Sequence, residues 1–404
     1  MFSRRFKTGY LFLEGLNSFA TVYYFYYFYF FMEKTFGFGN KANLALAALN
    51  GGSYALFALW GGRFAQRFGY FNALKLGFAV MMAAMVVGLQ VHSPPADIAV
   101  MLVTVFGMSF TWPTLEALVS EGEPRAGLQH MVGLYNVVWA ATASVANFTG
   151  GAMLDKLGVQ SLFYVPLVIQ SVQLALTLWL HSKVNRSPGS SGPRHQPVPI
   201  AEEVKLATAP DQQVLAARPA TASRFLRMAW LANPCGYVAI NTLIAAMPGV
   251  AHRLQLSTML AGFCCSVWCF SRLGAFVTLW LWDGWHYRFR WLLTAYILLI
   301  ASFASILLAP SVAVLVIAQL AFGIAVGLLY YSSLFYSMDL SDTKGEHGGI
   351  HEAAIGLGNF TGPAVGAAAL QFLPAYPNSG AVAVSLLLLV GLGGLTALWR
   401  GPRG

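Results

Sequence analysis

Asn147-Phe148-Thr149-Gly150 returns as Asn359-Phe360-Thr361-Gly362, 212 residues later. Each copy sits in the fifth apolar stretch of its half of the chain. A tetrapeptide repeated at equivalent places in two apolar halves marks an internal duplication, and two similar bundles are related by a pseudo-two-fold axis. The repeat reaches further. Glu14-Gly15-Leu16-Asn17 aligns with Trp230-Leu231-Ala232-Asn233, with asparagine at the matching place in both.

The composition requires lipid. Hydrophobic residues make up 57% of the 404 and charged residues 10%, and the mean hydropathy is +0.62. A soluble domain carries about 25% charged residues. In a bilayer, each run of about 20 apolar residues closes its own backbone hydrogen bonds as a helix. The chain predicts twelve such spans, at roughly 8–32, 42–60, 72–91, 97–118, 128–153, 160–181, 225–250, 257–281, 291–309, 311–337, 347–373 and 379–399. The first span is too long for a signal peptide, and no small-residue cleavage site follows it. The expected class is an all-α integral membrane protein of two six-helix bundles, residues 1–182 and 224–404. They are joined by a polar linker, 183–223, rich in Ser, Gly and Pro and expected to be disordered.

Basic residues orient the spans. Of the 24 Lys and Arg, Arg272 falls inside a span, and Lys34, Lys41, Lys156 and Arg253 fall on one side; all others lie on the side of the termini. That bias puts both termini in the cytoplasm of a plasma or cell inner membrane, as a multi-pass protein. It also accounts for the net charge of +9 without a nucleic-acid partner. Cys235, Cys264, Cys265 and Cys269 all fall in spans and read as small core residues. No cofactor is expected. His347 and His351 have a metal-ligand spacing, but two histidines and one acid do not make a metal site.

With twelve spans, a central loop and both termini on one side, the chain resembles the major facilitator superfamily. Between spans 2 and 3, Gly62-Arg63-Phe64-Ala65-Gln66-Arg67-Phe68-Gly69-Tyr70 is similar to that family's signature loop, with Gln66 where the signature has aspartate. The corresponding loop of the second half keeps the acid as Asp283. The resemblance implies transport by alternating access. It also implies a gating role for Gly62, Gln66, Arg67, Gly69 and Asp283, with Arg67 pairing Glu116 low in span 4. The family's antiporter signature wants Gly-Pro in span 5; here Gly362-Pro363 lies in span 11, and antiport is not assigned.

Ionisable groups at membrane depth cost about 2.5–3.5 kcal/mol each on insertion scales, so they are functional candidates. Glu14 in span 1 and Glu352 in span 11 come from opposite halves and could share one cavity as proton-coupling groups. His351 titrates near neutral pH and is a third candidate. Arg272 in span 8 is a counter-charge, an anion clamp, or the partner of an internal salt bridge with Glu352 or Glu14. Candidate substrate contacts are Asn17, Tyr135, Asn136 and Trp139 from the first half, and Asn233, Asn241, Tyr330 and Tyr331 with Arg272 from the second. Such a set suits either sugar stacking or an amphipathic cation over an aromatic face. The aromatic run Tyr23–Phe31 covers every face of its helix and reads as an interfacial belt.

The expected function is a secondary active transporter, a monomer that moves a small polar or amphipathic solute by alternating access with proton coupling, symport being one of the modes the sequence leaves open beside antiport and uniport. A non-transporting receptor or sensor on the same fold is the alternative. An enzyme is not expected, because the loops carry no phosphate loop, metal motif or nucleophile elbow.

Overall fold

The computed structural model describes residues 4–121, 125–186, 219–340 and 344–401. The first half comprises α1 (Arg4–Phe36), α2 (Asn40–Phe68), α3 (Tyr70–Gln90), α4 (Pro94–Ser120), α5 (Arg125–Lys156) and α6 (Ser161–Arg186). The second comprises α7 (Pro219–Arg253), α8 (Thr258–Leu281), α9 (Phe289–Leu307), α10 (Val312–Leu340), α11 (Lys344–Phe372) and α12 (Ser379–Arg400). Residues 187–218, most of the expected linker, lie outside the described residues. The linker's outermost positions are helical instead, at the end of α6 and the start of α7.

Among the described residues, eleven helices are long and apolar enough to cross a membrane. The twelfth, α1, falls short because its tyrosines, Glu14 and Asn17 lower its hydropathy, and its surroundings explain why that is tolerated. It packs against α2, α4, α5, α6 and α7. Tyr23, Tyr24 and Tyr26–Met32 are all buried. A helix apolar on every face belongs inside a bundle, so the aromatic run is core, and the belt expected from the sequence is corrected. The hydroxyls turn inward: Tyr23 meets Ser161 at 2.7 Å, and Tyr26 donates to the Cys265 carbonyl at 3.0 Å.

The repeated tetrapeptide builds the seam between the halves, and each of its residues faces a different neighbour. Phe148 packs on Phe263 of α8, and Phe360 lies over Gly52 of α2. Thr149 and Thr361 are half-buried and return their hydroxyls to the carbonyls of Val145 and Leu357. Gly150 lets the rings of Tyr23 and Tyr27 of α1 approach, and Gly362 does the same for the Val238 carbonyl of α7. The asparagine carbonyls also find partners on the first helix of their own half. Tyr27 donates to the Asn147 carbonyl. Asn241 donates to the Asn359 carbonyl at 3.1 Å, an acceptor that Pro363, four residues on, cannot bond.

Backbone meets backbone where α5 crosses α8 and where α2 crosses α11. The Cα atom of Gly262 is 3.1 Å from a Cβ built on Gly151, and an added Cβ would strike the Thr258 carbonyl as well. At the second crossing, Gly51 faces the Asn359–Phe360 peptide, and a Cβ on Gly356 would stand 2.6 Å from the Cα of Ala55. Small residues at such crossings replace hydrophobic force with close packing.

Away from the crossings, the halves are also tied by side chains. Asp155 of α5 accepts from the Met259 amide at 2.9 Å, and Ser257 accepts from Leu260 at 3.2 Å, so the start of α8 is capped from both halves. Lys41 of α2 donates to Gln371 of α11 at 3.0 Å.

Gly151→Ala is expected to lower the thermal stability of the purified protein, because overpacking a close contact costs about 1–3 kcal/mol. Gly274→Ala is the control: a Cβ there meets nothing within 4 Å. Melting curves for the two variants check the assignment. Equal melting temperatures would show that the α5–α8 crossing can relax.

Candidate functional site: a central cavity between the halves

Between the halves lies a cavity of about 210 Å³. Its wall takes residues from α1, α2, α4 and α5 of one half and α7, α8, α10 and α11 of the other.

Six of the residues singled out from the sequence line it: Tyr135, Trp139, Asn241, Arg272, Tyr330 and Glu352. The sequence reasoning missed others on the wall, notably Tyr54, Trp112, Tyr237 and Trp268. It also missed Asn147 and Asn359, the asparagines of the repeated tetrapeptide, which both reach the cavity. Their signal was the repeated tetrapeptide itself, although Asn17 and Asn233, matched between the halves in the same way, do not reach the cavity.

Glu352 is 8% exposed and sits on α11, where the start of the helix meets α2. Tyr54 of α2 donates to its Oε2 at 2.6 Å. The bond joins a carboxyl of the second half to a hydroxyl of the first.

Arg272 is 6% exposed. Its guanidinium carbon stands 4.5 Å from the ring centre of Trp139 and 4.6 Å from that of Trp268. Trp268 lies one turn earlier on α8, whereas Trp139 comes from α5 of the other half. The local fold explains the placement. α8 breaks at Ser266, and the Trp268 amide donates to Gln319 Oε1 of α10 at 3.4 Å, a side chain entering the helical ladder as at other kinks. Gly323 and Gly327 bring α10 against the Arg272 turn. Asn136 accepts from the indole of Trp139 at 3.0 Å and so fixes that ring.

The internal salt bridge considered for Arg272 is not formed. Among the described residues it makes no ion pair, and its Nε is buried without a hydrogen-bond partner. Tyr237 and Tyr330 lie within electrostatic reach of both Arg272 and Glu352.

The other candidates stand off the wall. Glu14 is fully buried on α1, and Ser18 donates to its Oε1 at 2.8 Å. Its Oε2 has no hydrogen-bond partner, and Tyr135 of the wall is its neighbour. Asn17 is buried beside it with both side-chain polar atoms unpaired. Asn136 supports Trp139 from behind. Asn233 is buried away from the cavity, and Tyr331 packs on Phe276 and Trp285. His351 falls on α11, but its side chain lies outside the described residues.

At the loop between α2 and α3, Gly69 has φ +90, a conformation that suits glycine. Gly62 is half-buried. Gln66 and Arg67 are exposed, and the Arg67 guanidinium lies over the Phe68 ring at 5.3 Å. Asp283 is exposed and opens the short turn Asp283–Trp285. Glu116 is half-buried on α4 and interacts electrostatically with Glu352 and Glu14. Among the described residues, no cluster of three His, Cys, Asp or Glu could hold a metal.

Comparison with known proteins follows the same outline. No curated protein matches the chain in sequence. Among solved structures, the D-xylose-proton symporter superposes with a TM-score of 0.70 at 15% identity, covering 99% of each chain. The nucleoside transporter NupG superposes with a TM-score of 0.67 at 15% identity, covering 98% of this chain and 100% of its own. At that identity the likeness concerns the fold. The model of the Major Facilitator Superfamily matches residues 10–363. With that match spanning nearly the whole chain, and with two bundles meeting around a central cavity, this protein belongs to the Major Facilitator Superfamily, a transporter family and not an enzyme family.

Proposed function

We propose that the chain is a proton-coupled secondary transporter that carries a small polar or amphipathic solute through the central cavity by alternating access. The observation that carries this reading is the bond from Tyr54 to Glu352. A hydrogen bond to a carboxylate is charge-assisted and strong, and protonation removes that advantage. Because donor and acceptor belong to different halves, the proton occupancy of Glu352 and the position of the halves bear on one another. Glu116 and Glu14 lie within electrostatic reach of Glu352.

The glycine crossings α5–α8 and α2–α11 supply the surfaces on which rigid halves rock. With both termini in the cytoplasm, the capping of α8 by Asp155 and the Lys41–Gln371 bond hold the outer end together. The protein then acts as a monomer in the plasma or cell inner membrane, with protons and a small molecule as partners and no nucleic acid. That a proton symporter shares the fold supports the coupling reading.

Glu352→Gln is expected to abolish accumulation driven by a pH gradient in proteoliposomes while leaving counterflow exchange of solute intact. Loss of both, or of neither, would show that Glu352 is structural. Tyr54→Phe removes one hydrogen bond to a charged group, worth about 1.5–3 kcal/mol. Gradient-driven accumulation should therefore fall roughly tenfold or more while exchange at saturating solute persists. Unchanged accumulation in Tyr54→Phe would separate the cross-half bond from coupling.

A further inference from the structure

We propose that the solute is an organic monoanion with a flat apolar body, its carboxylate held on the in-plane edge of Arg272. The inference rests on the transport reading for the solute's passage but not for its binding.

Arg272 is more than nine-tenths buried and on the cavity wall, with no ion pair among the described residues and an Nε lacking an acceptor. The indoles of Trp139 and Trp268 stand 4.5 and 4.6 Å from its guanidinium carbon. All guanidinium donors lie in one plane, and that edge matches a carboxylate in a two-pronged geometry. A cation buried without an anion is costly and persists where function uses it. The carboxyl closest in role, Glu352, is engaged by Tyr54 instead.

The rest of the wall narrows the class. Rings of Tyr26, Trp112, Tyr237 and Tyr330 present flat apolar surface. Of the four asparagines on the wall, two have their amide nitrogens engaged: Asn147 donates to the Cys269 sulfur at 2.9 Å and Asn241 to the Asn359 carbonyl, while Asn147 Oδ1 has no partner. An amine would set a second cation in the same space as Arg272. A dianion would leave one charge facing Glu352 on the same wall. One carboxylate with one proton crosses the membrane without net charge.

The test uses purified full-length protein and reads the ligand concentration that gives half the maximal rise in melting temperature. The probes are 4-hydroxybenzoate and indole-3-acetate against 4-hydroxybenzamide, 4-hydroxybenzylamine and D-xylose. The carboxylates should stabilise the wild type. Arg272→Gln should raise their half-effect concentration at least tenfold. Arg272→Lys, which keeps the charge and loses the fork and therefore guards against a folding defect, should raise it several-fold. Silence of both carboxylates, equal stabilisation by the amide, or an unchanged response in both variants overturns the proposal. Counterflow of labelled 4-hydroxybenzoate then separates the two readings. Arginine-dependent binding without counterflow overturns transport and leaves the anion site standing. Counterflow of D-xylose with no carboxylate binding overturns the anion site and leaves transport standing.

Discussion

Two backbone-to-backbone crossings, α5 on α8 and α2 on α11, are the constraint on which the rest of this structure depends. At each, a pair of small residues removes the side chains that would otherwise hold the helices apart. Lipid tails are as apolar as the helices they surround, so the halves are not driven together by burial, and close contact has to do that work. The same crossings set the depth of the cavity. Asn147 lies one turn before Gly151, and Asn359 lies one turn after Gly356, so fixing the crossings delivers both asparagines to the wall.

The bundle is symmetric in its packing and asymmetric in its chemistry. Each half offers its fifth helix to the partner's second, and each satisfies a motif carbonyl from its own first helix. The charges on the cavity wall do not follow this rule. Arg272 and Glu352 both come from the second half, and the first half answers with rings and a hydroxyl, Trp139 against the guanidinium and Tyr54 against the carboxyl. Each wall charge is thus held by a contact that spans the seam. Under the transport reading proposed above, relative movement of the halves would change the surroundings of both charges together.

α1 illustrates how neighbours decide what a segment means. Its tyrosine-rich run has the composition of a membrane-interface belt. Its burial on all sides turns the rings into core and sends Tyr26 and Tyr29 to the cavity. The same placement carries Glu14, beside Tyr135, and Asn17 to full burial, away from the wall where depth along the helix alone would put them.

The sequence by itself determined the class, the twelve spans, the duplication and the family resemblance, because these rest on composition and period, which any window of chain displays. It also singled out Glu352, Arg272, Trp139, Tyr135, Tyr330 and Asn241, since polar or aromatic residues at membrane depth stand out against an apolar background. The tertiary structure alone decided their partners. Tyr54 and Trp268 look like ordinary span residues until helices far apart in the chain bring them to Glu352 and Arg272. Asn17, Asn233 and Tyr331 look like cavity residues until helix rotation turns them away. Depth in the membrane is written in the order of residues, whereas the direction a side chain faces depends on which helices pack around it, and that is a property of the assembled bundle.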